Sequence, residues 1–569
     1  MTTKWQILET DADLSLMAKV LNIKEATACV MAHRGIRSKN AALSFLAPSI
    51  ERLRDPLQMK DMQKAVEIIH KTCKNGRKIT IYGDYDADGI MSTVILYKSL
   101  KRLGADCDYY IPHRIEEGYG LNQNAVEKIL ERGTELIITV DNGIASAEEI
   151  KTAAEHGVST IVIDHHEPQE ILPSAAAIVD PKQVDCTYPF DEMCAAGIVY
   201  LFATALADYA KIPLMDEEHD EILMLAAIAT LCDIVPLTDE NRIIVNSGLA
   251  VLNANKLINP GLGSLITMRD HLDKPIESFT VGYIIGPCLN ATGRLESAEI
   301  AVELLLATSD DTQKRLELAQ TLIELNDARK TLTSDCVDRL AADLPIPLPN
   351  VLVLTDFEAH ESVAGIVAGR IRESTQRPTI LLTRGDGATK GSGRSVEGYN
   401  LFEALYAQRH LFTRFGGHAM AAGLTLPEEN ISLLRDALNA DCALTEDDFI
   451  PTLSIDRILR AEEITLTLSD ELSRLAPFGK GNNEPLFVCY GLLAEKVRIL
   501  NEKNTLIFSF FTNTGKRLKG IAFGLNKNYA TTFGIKSENV EMDVAFTVES
   551  NTWNNITEVQ LRIRDFKVV

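Results

Sequence analysis

The stretch Tyr82-Gly83-Asp84-Tyr85-Asp86-Ala87-Asp88-Gly89 decides how this chain is read. An apolar run, Ile79-Thr80-Ile81, leads into it, and Ile90-Met91-Ser92-Thr93-Val94-Ile95-Leu96 follows. That pattern predicts strand, loop and helix. Alternation in an extended loop sends Asp84, Asp86 and Asp88 to one side. Like charges crowded in this way repel unless a cation lies between them. Oxygen-rich sites suit hard cations such as Mn2+ or Mg2+. The segment by itself reads equally well as a polar Asp-Gly turn or a calcium-type loop.

Working outward, strand-like runs alternate with helical segments from about residue 60 to 250. The strands are Ile79–Tyr82, Cys107–Ile111, Leu136–Val140, Thr160–Ile163 and Ala177–Val179, with helices including Ile90–Leu103 and Gln123–Glu131. This predicts βαβ construction around a parallel sheet. Ligands of such sheets bind beyond the carboxyl ends of the strands. Leu136–Val140 ends in Asp141-Asn142-Gly143, and Thr160–Ile163 ends in Asp164-His165-His166. Later, Asp233 stands alone in the apolar run Ala229-Thr230-Leu231-Cys232-Asp233-Ile234-Val235-Pro236. Taken singly, Asp141 reads as a turn residue, the His pair as a helix cap and Asp233 as the partner of an arginine. Together they place metal-type side chains at one edge of one sheet.

The order GDYDADG, DNG, DHH and ATLCDIVPL resembles the DHH phosphoesterase superfamily, and within it the RecJ family of single-strand-specific 5′ exonucleases. The resemblance covers most of the chain. It extends to Gly286-Pro287-Cys288-Leu289-Asn290-Ala291-Thr292-Gly293-Arg294-Leu295, to His360-Glu361-Ser362, to Lys390-Gly391-Ser392-Gly393-Arg394-Ser395 and to Arg414-Phe415-Gly416-Gly417-His418. The last is similar to the Gly-Gly-His signature of a DHH-associated domain. From Arg370 to His418 there are eight Lys or Arg against four Asp or Glu, in a chain whose net charge is −23. That local reversal marks a basic surface. The whole-chain charge argues against nonspecific attachment to polyanions, yet leaves room for a local basic groove.

The implied fold is α/β: a parallel-sheet DHH domain joined by a long helix to a smaller α/β DHH-associated domain, then a five-stranded OB-fold β-barrel. The expected divisions are a helical segment at 1–55, the DHH domain at 56–295, connecting helices at 296–344, the DHH-associated domain at 345–448 and the OB domain at 449–569. Strand-like runs near 486–499, 505–512, 516–523, 540–549 and 557–568 suit such a barrel. Phe508, Phe510, Trp553, Arg498, Lys519 and Arg562 are candidates for a stacking and phosphate-tracking face, although half of the aromatics should fill the barrel.

The resemblance also implies roles. Asp86 ligates one metal, Asp88 the other, and Asp141 bridges. His165 and Asp233 complete the second metal, and Asp84 is a further ligand or an outer-shell group. His166 faces the scissile phosphate. Two cations about 3.5–4 Å apart would align the nucleophile and neutralise charge. Many superfamily members carry a histidine where this chain has Tyr82, so Asp84 is expected to take its place. Arg294, Ser392, Arg394 and Ser395 form a pocket for a terminal 5′ phosphate, and Arg114 contacts the strand at the cleft entrance. His360, Gly416, Gly417 and His418 belong to the same substrate-binding set. The implied partner is single-stranded DNA with a 5′ end, with single-strand-binding protein and a helicase beyond it. A monomer is implied.

Ten scattered cysteines without CxxC or zinc spacing suit a reducing cytoplasm. The start, Met1-Thr2-Thr3-Lys4-Trp5, has no signal-peptide pattern, and no apolar run is long enough to span a membrane. Two other readings compete. One is a relative cleaving short RNA or cyclic dinucleotides, against which an OB domain argues. The other is a metal-free replication scaffold, against which the retained ligand residues argue.

Overall fold

The computed structural model describes residues 3–385, 387–500, 505–512, 515–524 and 538–569. The chain divides into two compact units. One comprises Leu53–Val235 and Ser247–Ile450; the other comprises Met1–Arg52, Pro236–Asn246 and Pro451–Val569. Among the described residues no helix is long and apolar enough to cross a membrane.

The first unit holds two sheets. The parallel sheet runs in the order Cys107–Tyr110, Ile79–Tyr82, Leu136–Val140, Ser159–Ile163, Ala177–Val179. Ile79–Tyr82 and Leu136–Val140 are buried at every residue, as expected of parallel strands covered on both faces. The helix Ala87–Arg102 packs against Ala195–Ala210 and Asp216–Cys232. The strand order reverses between Ile79–Tyr82 and Leu136–Val140, which is where open α/β sheets bind ligands. The aspartate loop and Asp141 stand at those two strand ends.

A helix of 31 residues, Thr312–Ala342, follows and is about 46 Å long at the usual rise. It packs on Pro260–Met268, Gly286–Leu295 and Ala364–Thr375. The second sheet has the order Arg414–His418, Ala421–Leu426, Thr389–Arg394, Thr379–Arg384, Leu352–Thr355. Only its last pair is parallel.

The other unit is built on a closed barrel of Phe487–Leu500, Thr505–Phe511, Arg517–Phe523, Ile556–Val568 and Val540–Trp553, the last pairing back onto the first. A short strand, Arg457–Ile458, extends the first parallel to it. The start of the chain differs from a purely helical expectation. Lys4–Ile7 is a strand paired in parallel with Thr452–Ile455. Trp5 Nε1 donates to Asp565 Oδ2 at 2.8 Å, and the Lys567 ammonium lies 4.3 Å from the Trp5 ring. The pairing partner is far away in sequence, so no local pattern announces it.

Phe508 and Phe510 are fully buried and stacked, with ring centroids 5.5 Å apart. They belong to the barrel core rather than to a nucleic-acid face. Lys519 is ion-paired with Glu558, and Arg562 lies 3.7 Å from Glu484. Trp553 is 75% exposed. Truncating a buried Phe removes both its transfer energy and its packing contacts. Phe510→Ala should therefore destabilise this unit by about 3–5 kcal/mol, read from its urea transition. A change within experimental error would remove Phe510 from the core.

Candidate active site

Asp86 is the N-cap of the helix Ala87–Arg102. Its Oδ1 accepts from the backbone N–H of Asp88 at 2.9 Å and of Gly89 at 3.2 Å. The N–H of Ala87 donates instead to Asn290 Oδ1 at 2.7 Å. Asp88, in the first turn of the same helix, accepts from the N–H groups of Ala195 (2.7 Å) and Ala196 (2.9 Å) at the start of another helix. Carboxylates are favoured at such N-terminal ends.

Asp141 and Ile234 adopt left-handed backbone conformations, with φ of +63° and +59°. This is uncommon for an aspartate and an outlier for a β-branched residue. Ile234 follows Asp233 directly, so strained backbone flanks the same centre at two points. Asp164 organises the rest. Its Oδ1 accepts from His165 N–H at 2.8 Å and from the His166 ring at 2.7 Å, and its Oδ2 accepts from Ile144 N–H at 3.0 Å. One buried carboxylate thus ties the turn after Asp141 to both histidines.

These elements bring the acidic side chains together. Asp84, Asp86 and Asp141 offer ligand atoms within 4.8 Å of one another, as do Asp88, His165 and Asp233, and Asp141, His165 and His166. His165 Nε2 is 3.2 Å from Asp141 Oδ1, 3.8 Å from Asp88 Oδ2 and 3.9 Å from Asp233 Oδ2. Burial and neighbouring carboxylates push Asp84 and Asp141 well above the ordinary range, and burial with Asp86 takes Asp88 to about 6. Asp84 Oδ1 is buried without a hydrogen-bond partner among the described residues. Crowded carboxylates with an unused buried oxygen fit a divalent cation. His165 is brought down to about 3 by burial and the adjacent His166, which keeps the imidazole neutral as a ligand must be. For His166, burial opposes charging, but its bond to Asp164 prevails and raises it to about 9.

Tyr82 is absent from these groups. Its hydroxyl donates to Gly120 O at 2.9 Å, and its ring stacks on Tyr110 at 5.6 Å. Asp84 is left to fill that side of the cluster. Tyr119, not foreseen as a site residue, has its hydroxyl 3.2 Å from Asp141 O and 3.1 Å from His166 Nδ1. Asp164 and Asn290 were likewise present in the quoted motifs but carried no assigned role.

The basic residues gather beside the aspartate loop. Arg114, Ser362, Lys390, Ser392 and Thr425 line a cleft of about 230 Å³. The Arg114 guanidinium sits 4.7 Å from the ring of Tyr85, which lies between Asp84 and Asp86 in sequence. Arg294 Nη1 donates to Ser362 O at 2.9 Å, and Arg394 Nη1 donates to Gly393 O at 2.7 Å and Ser392 Oγ at 3.2 Å. Burial, with Arg114 and Arg329 nearby, brings Arg294 down to about 10; burial and Arg114 also lower Arg394. Guanidinium groups crowded in this way favour an anion among them.

Antiparallel register sets Ser392 opposite Gly423 and Gly423 opposite Gly416, while Arg394 lies opposite Ala421 and Ala421 opposite His418. Residues directly opposite share a face. Ser392, Arg394, Gly416 and His418 therefore line one face, which is bare at Gly416 and Gly423 because a Cβ at either would meet nothing within 4 Å. Gly417 serves the hairpin: its φ is +147°, and a Cβ would lie 2.4 Å from Ala421 O. His360 is exposed, with Nδ1 2.7 Å from Ser362 Oγ.

Ser395 departs from expectation. It is buried, and its hydroxyl donates to Tyr399 O at 2.6 Å. Strand alternation turns it away from the face carrying Ser392 and Arg394.

A parallel α/β domain with this carboxylate and histidine edge, joined to a mixed sheet with a glycine-rich basic face, defines a DHH phosphoesterase. Residues 78–230 match the DHH family N-terminal domain, residues 348–443 the DHHA1 domain and residues 455–565 the RecJ OB domain. The chain is 37% identical to the single-stranded-DNA-specific exonuclease RecJ of Bacillus subtilis (strain 168), covering 99% of this chain and 71% of that one. It is 32% identical to RecJ of Escherichia coli (strain K12), covering 94% of each. The crystal structure of RecJ in complex with Mn2+ from Thermus thermophilus superposes with a TM-score of 0.84 at 30% identity, covering 99% of this chain and 79% of that one. The chain belongs to the RecJ family.

The raised carboxylates set a pH dependence. In the metal-free protein the stability that a protonated Asp88 contributes is complete below its unfolded value. It is lost as pH rises through about 6. A cation competes with those protons and replaces what they supplied. Mn2+ should therefore raise the melting temperature more at pH 7.5 than at pH 5.5, as read by thermal-shift titration. An equal shift at both values would separate cation binding from these carboxylates.

Proposed function

We propose that this chain is a divalent-metal-dependent exonuclease that degrades single-stranded DNA from its 5′ end to 5′-mononucleotides, in DNA repair and recombination. The observation that carries the reading is Tyr85. It lies in the loop between two metal-type aspartates, and Arg114, at the entrance of the basic cleft, rests on its ring. A terminal phosphate held by the pocket lies a fixed step from the carboxylate cluster.

Asp84, Asp86 and Asp141 would hold one ion and Asp88, His165 and Asp233 the other, with Asp141 positioned to serve both. When bound, two Mn2+ or Mg2+ ions would neutralise the negative charge that phosphodiester hydrolysis develops and would acidify the attacking water. The side chains supply the rest. Arg294, Arg394 and Ser392 grip the 5′ phosphate, and Arg114 guards the entrance. His166, protonated at neutral pH through Asp164, donates to an oxygen of the scissile phosphate. Asp164 and Tyr119 hold that ring in place. The OB match favours a long strand over a cyclic dinucleotide. We place the protein in the cytoplasm as a monomer, with a helicase and single-strand-binding protein supplying the strand.

Asp141→Ala should abolish cleavage while single-strand binding persists, because binding rests on other residues; near-normal cleavage would overturn the two-ion assignment. Charged hydrogen bonds are worth about 1.5–3 kcal/mol each. Arg394→Ala should accordingly cut activity on 5′-phosphorylated strands by about ten-fold or more and narrow the preference over 5′-hydroxyl ends.

Gly365 offers a finer test. A Cβ there would lie 2.6 Å from Arg394 Nη2 and 2.9 Å from Ser392 Oγ. Both are ends of side chains, so Gly365→Ala should leave the fold intact and displace the grip. The expected result is an unchanged melting temperature with weaker discrimination for the 5′ phosphate. Unchanged discrimination would place the phosphate elsewhere.

A further inference from the structure

One helical run links both halves of the site and continues past them. Ser278–Thr280, the wide π turn Val281–Ile285 and Gly286–Leu295 follow one another without a break. Arg294, at the C-terminal end, bonds Ser362 in the phosphate pocket. One turn back, Asn290 bonds the aspartate loop through Ala87. Another turn back, Gly286 abuts Cys232, the residue before Asp233; a Cβ at Gly286 would lie 2.5 Å from Cys232 Sγ. Beyond that contact stand Tyr283 and Phe279, 70% and 58% exposed, with rings stacked at 4.7 Å and 22°.

The helix thus passes, in order, the phosphate pocket, the metal loop, the Asp233 corner and an exposed aromatic pair. Arg294 and Tyr283 are about 16 Å apart along it at the ordinary helical rise. An i,i+4 aromatic pair on a helix surface is a weak stabiliser, which does not account for leaving two large rings in water. π turns recur at functional sites. Every base presents a face to an aromatic ring, so stacking holds single strands without regard to sequence.

We infer that Phe279 and Tyr283 form a base-stacking platform for the strand on the side of the metal centre opposite the terminal-phosphate pocket. The inference rests on the single-strand nuclease reading. The occupant is the DNA strand itself, because the platform continues the same helix that touches both parts of the cleft. A strand anchored at its 5′ phosphate by Arg294 and stacked on Tyr283 would be held taut across the cluster. Each cut would leave the remaining strand on the platform, ready to advance.

The test compares KM for a 5′-phosphorylated dinucleotide, too short to reach the platform, with that for a 5′-phosphorylated strand of about 12 nucleotides. Wild-type cleavage of both is established first, so failure of the nuclease reading would appear there and not in the ratio. The double variant Phe279→Ala/Tyr283→Ala should raise KM on the longer strand about ten-fold more than on the dinucleotide, while Tyr283→Trp should retain wild-type behaviour. A longer strand made abasic beyond its first few nucleotides should bind the wild type as weakly as the variant binds the intact strand, and should not distinguish the two proteins. Equal losses on both lengths would assign the pair a structural role and overturn the inference. An unchanged KM on the longer strand would also overturn it, leaving the pair to a protein partner.

Discussion

Carboxylate crowding at the carboxyl edge of one parallel sheet is the constraint on which the rest depends. Asp84, Asp86, Asp88, Asp141 and Asp233 converge with His165, and burial makes the charges of Asp84, Asp88 and Asp141 costly. The surrounding structure holds the acids despite their repulsion. Two helix N-termini face Asp86 and Asp88, Asp164 pins the turn and both histidines, and Asp141 and Ile234 accept left-handed backbone. Such an assembly is a receptor for positive charge, and stored repulsion becomes binding energy when cations arrive.

The opposite problem is solved next door. Arg114, Arg294 and Arg394 are crowded positive charges that an anion would relieve. Tyr85 and the helix Gly286–Leu295 join the two clusters, so their separation is set by packed backbone rather than by loops. A Cβ on Gly293 would lie 2.3 Å from Tyr85 O, which measures how closely that helix is seated. In the proposed reading, that fixed separation would turn a phosphodiesterase into an enzyme that counts from an end.

Much of this was legible in the sequence because the deciding features are local. A strand followed by an acidic loop, repeated at successive strand ends, fixes a parallel sheet and its functional edge without reference to distant residues. The five barrel strands were legible from length and alternation. Alternation also held information that motif reading passed over. Ser392 and Arg394 are two apart and share a face, whereas Ser395 is odd to both and points into the core. Phe508 and Phe510, likewise two apart, both face inward. What sequence could not show was distant pairing. Lys4–Ile7 meets Thr452–Ile455 only in the folded chain, and Tyr119 becomes a neighbour of His166 only when two loops meet. The exposure of Phe279 and Tyr283 was equally hidden, since apolar residues at helical spacing ordinarily read as core.

In the proposed reading, the acidic edge holds two cations with Asp141 between them. Anomalous diffraction at the manganese edge from crystals grown with Mn2+ tests it most directly. Two peaks are expected, one among Asp84, Asp86 and Asp141 and the other among Asp88, His165 and Asp233, with Asp141 in contact with both. A single peak, or two peaks that leave Asp141 without a ligand contact, would contradict it.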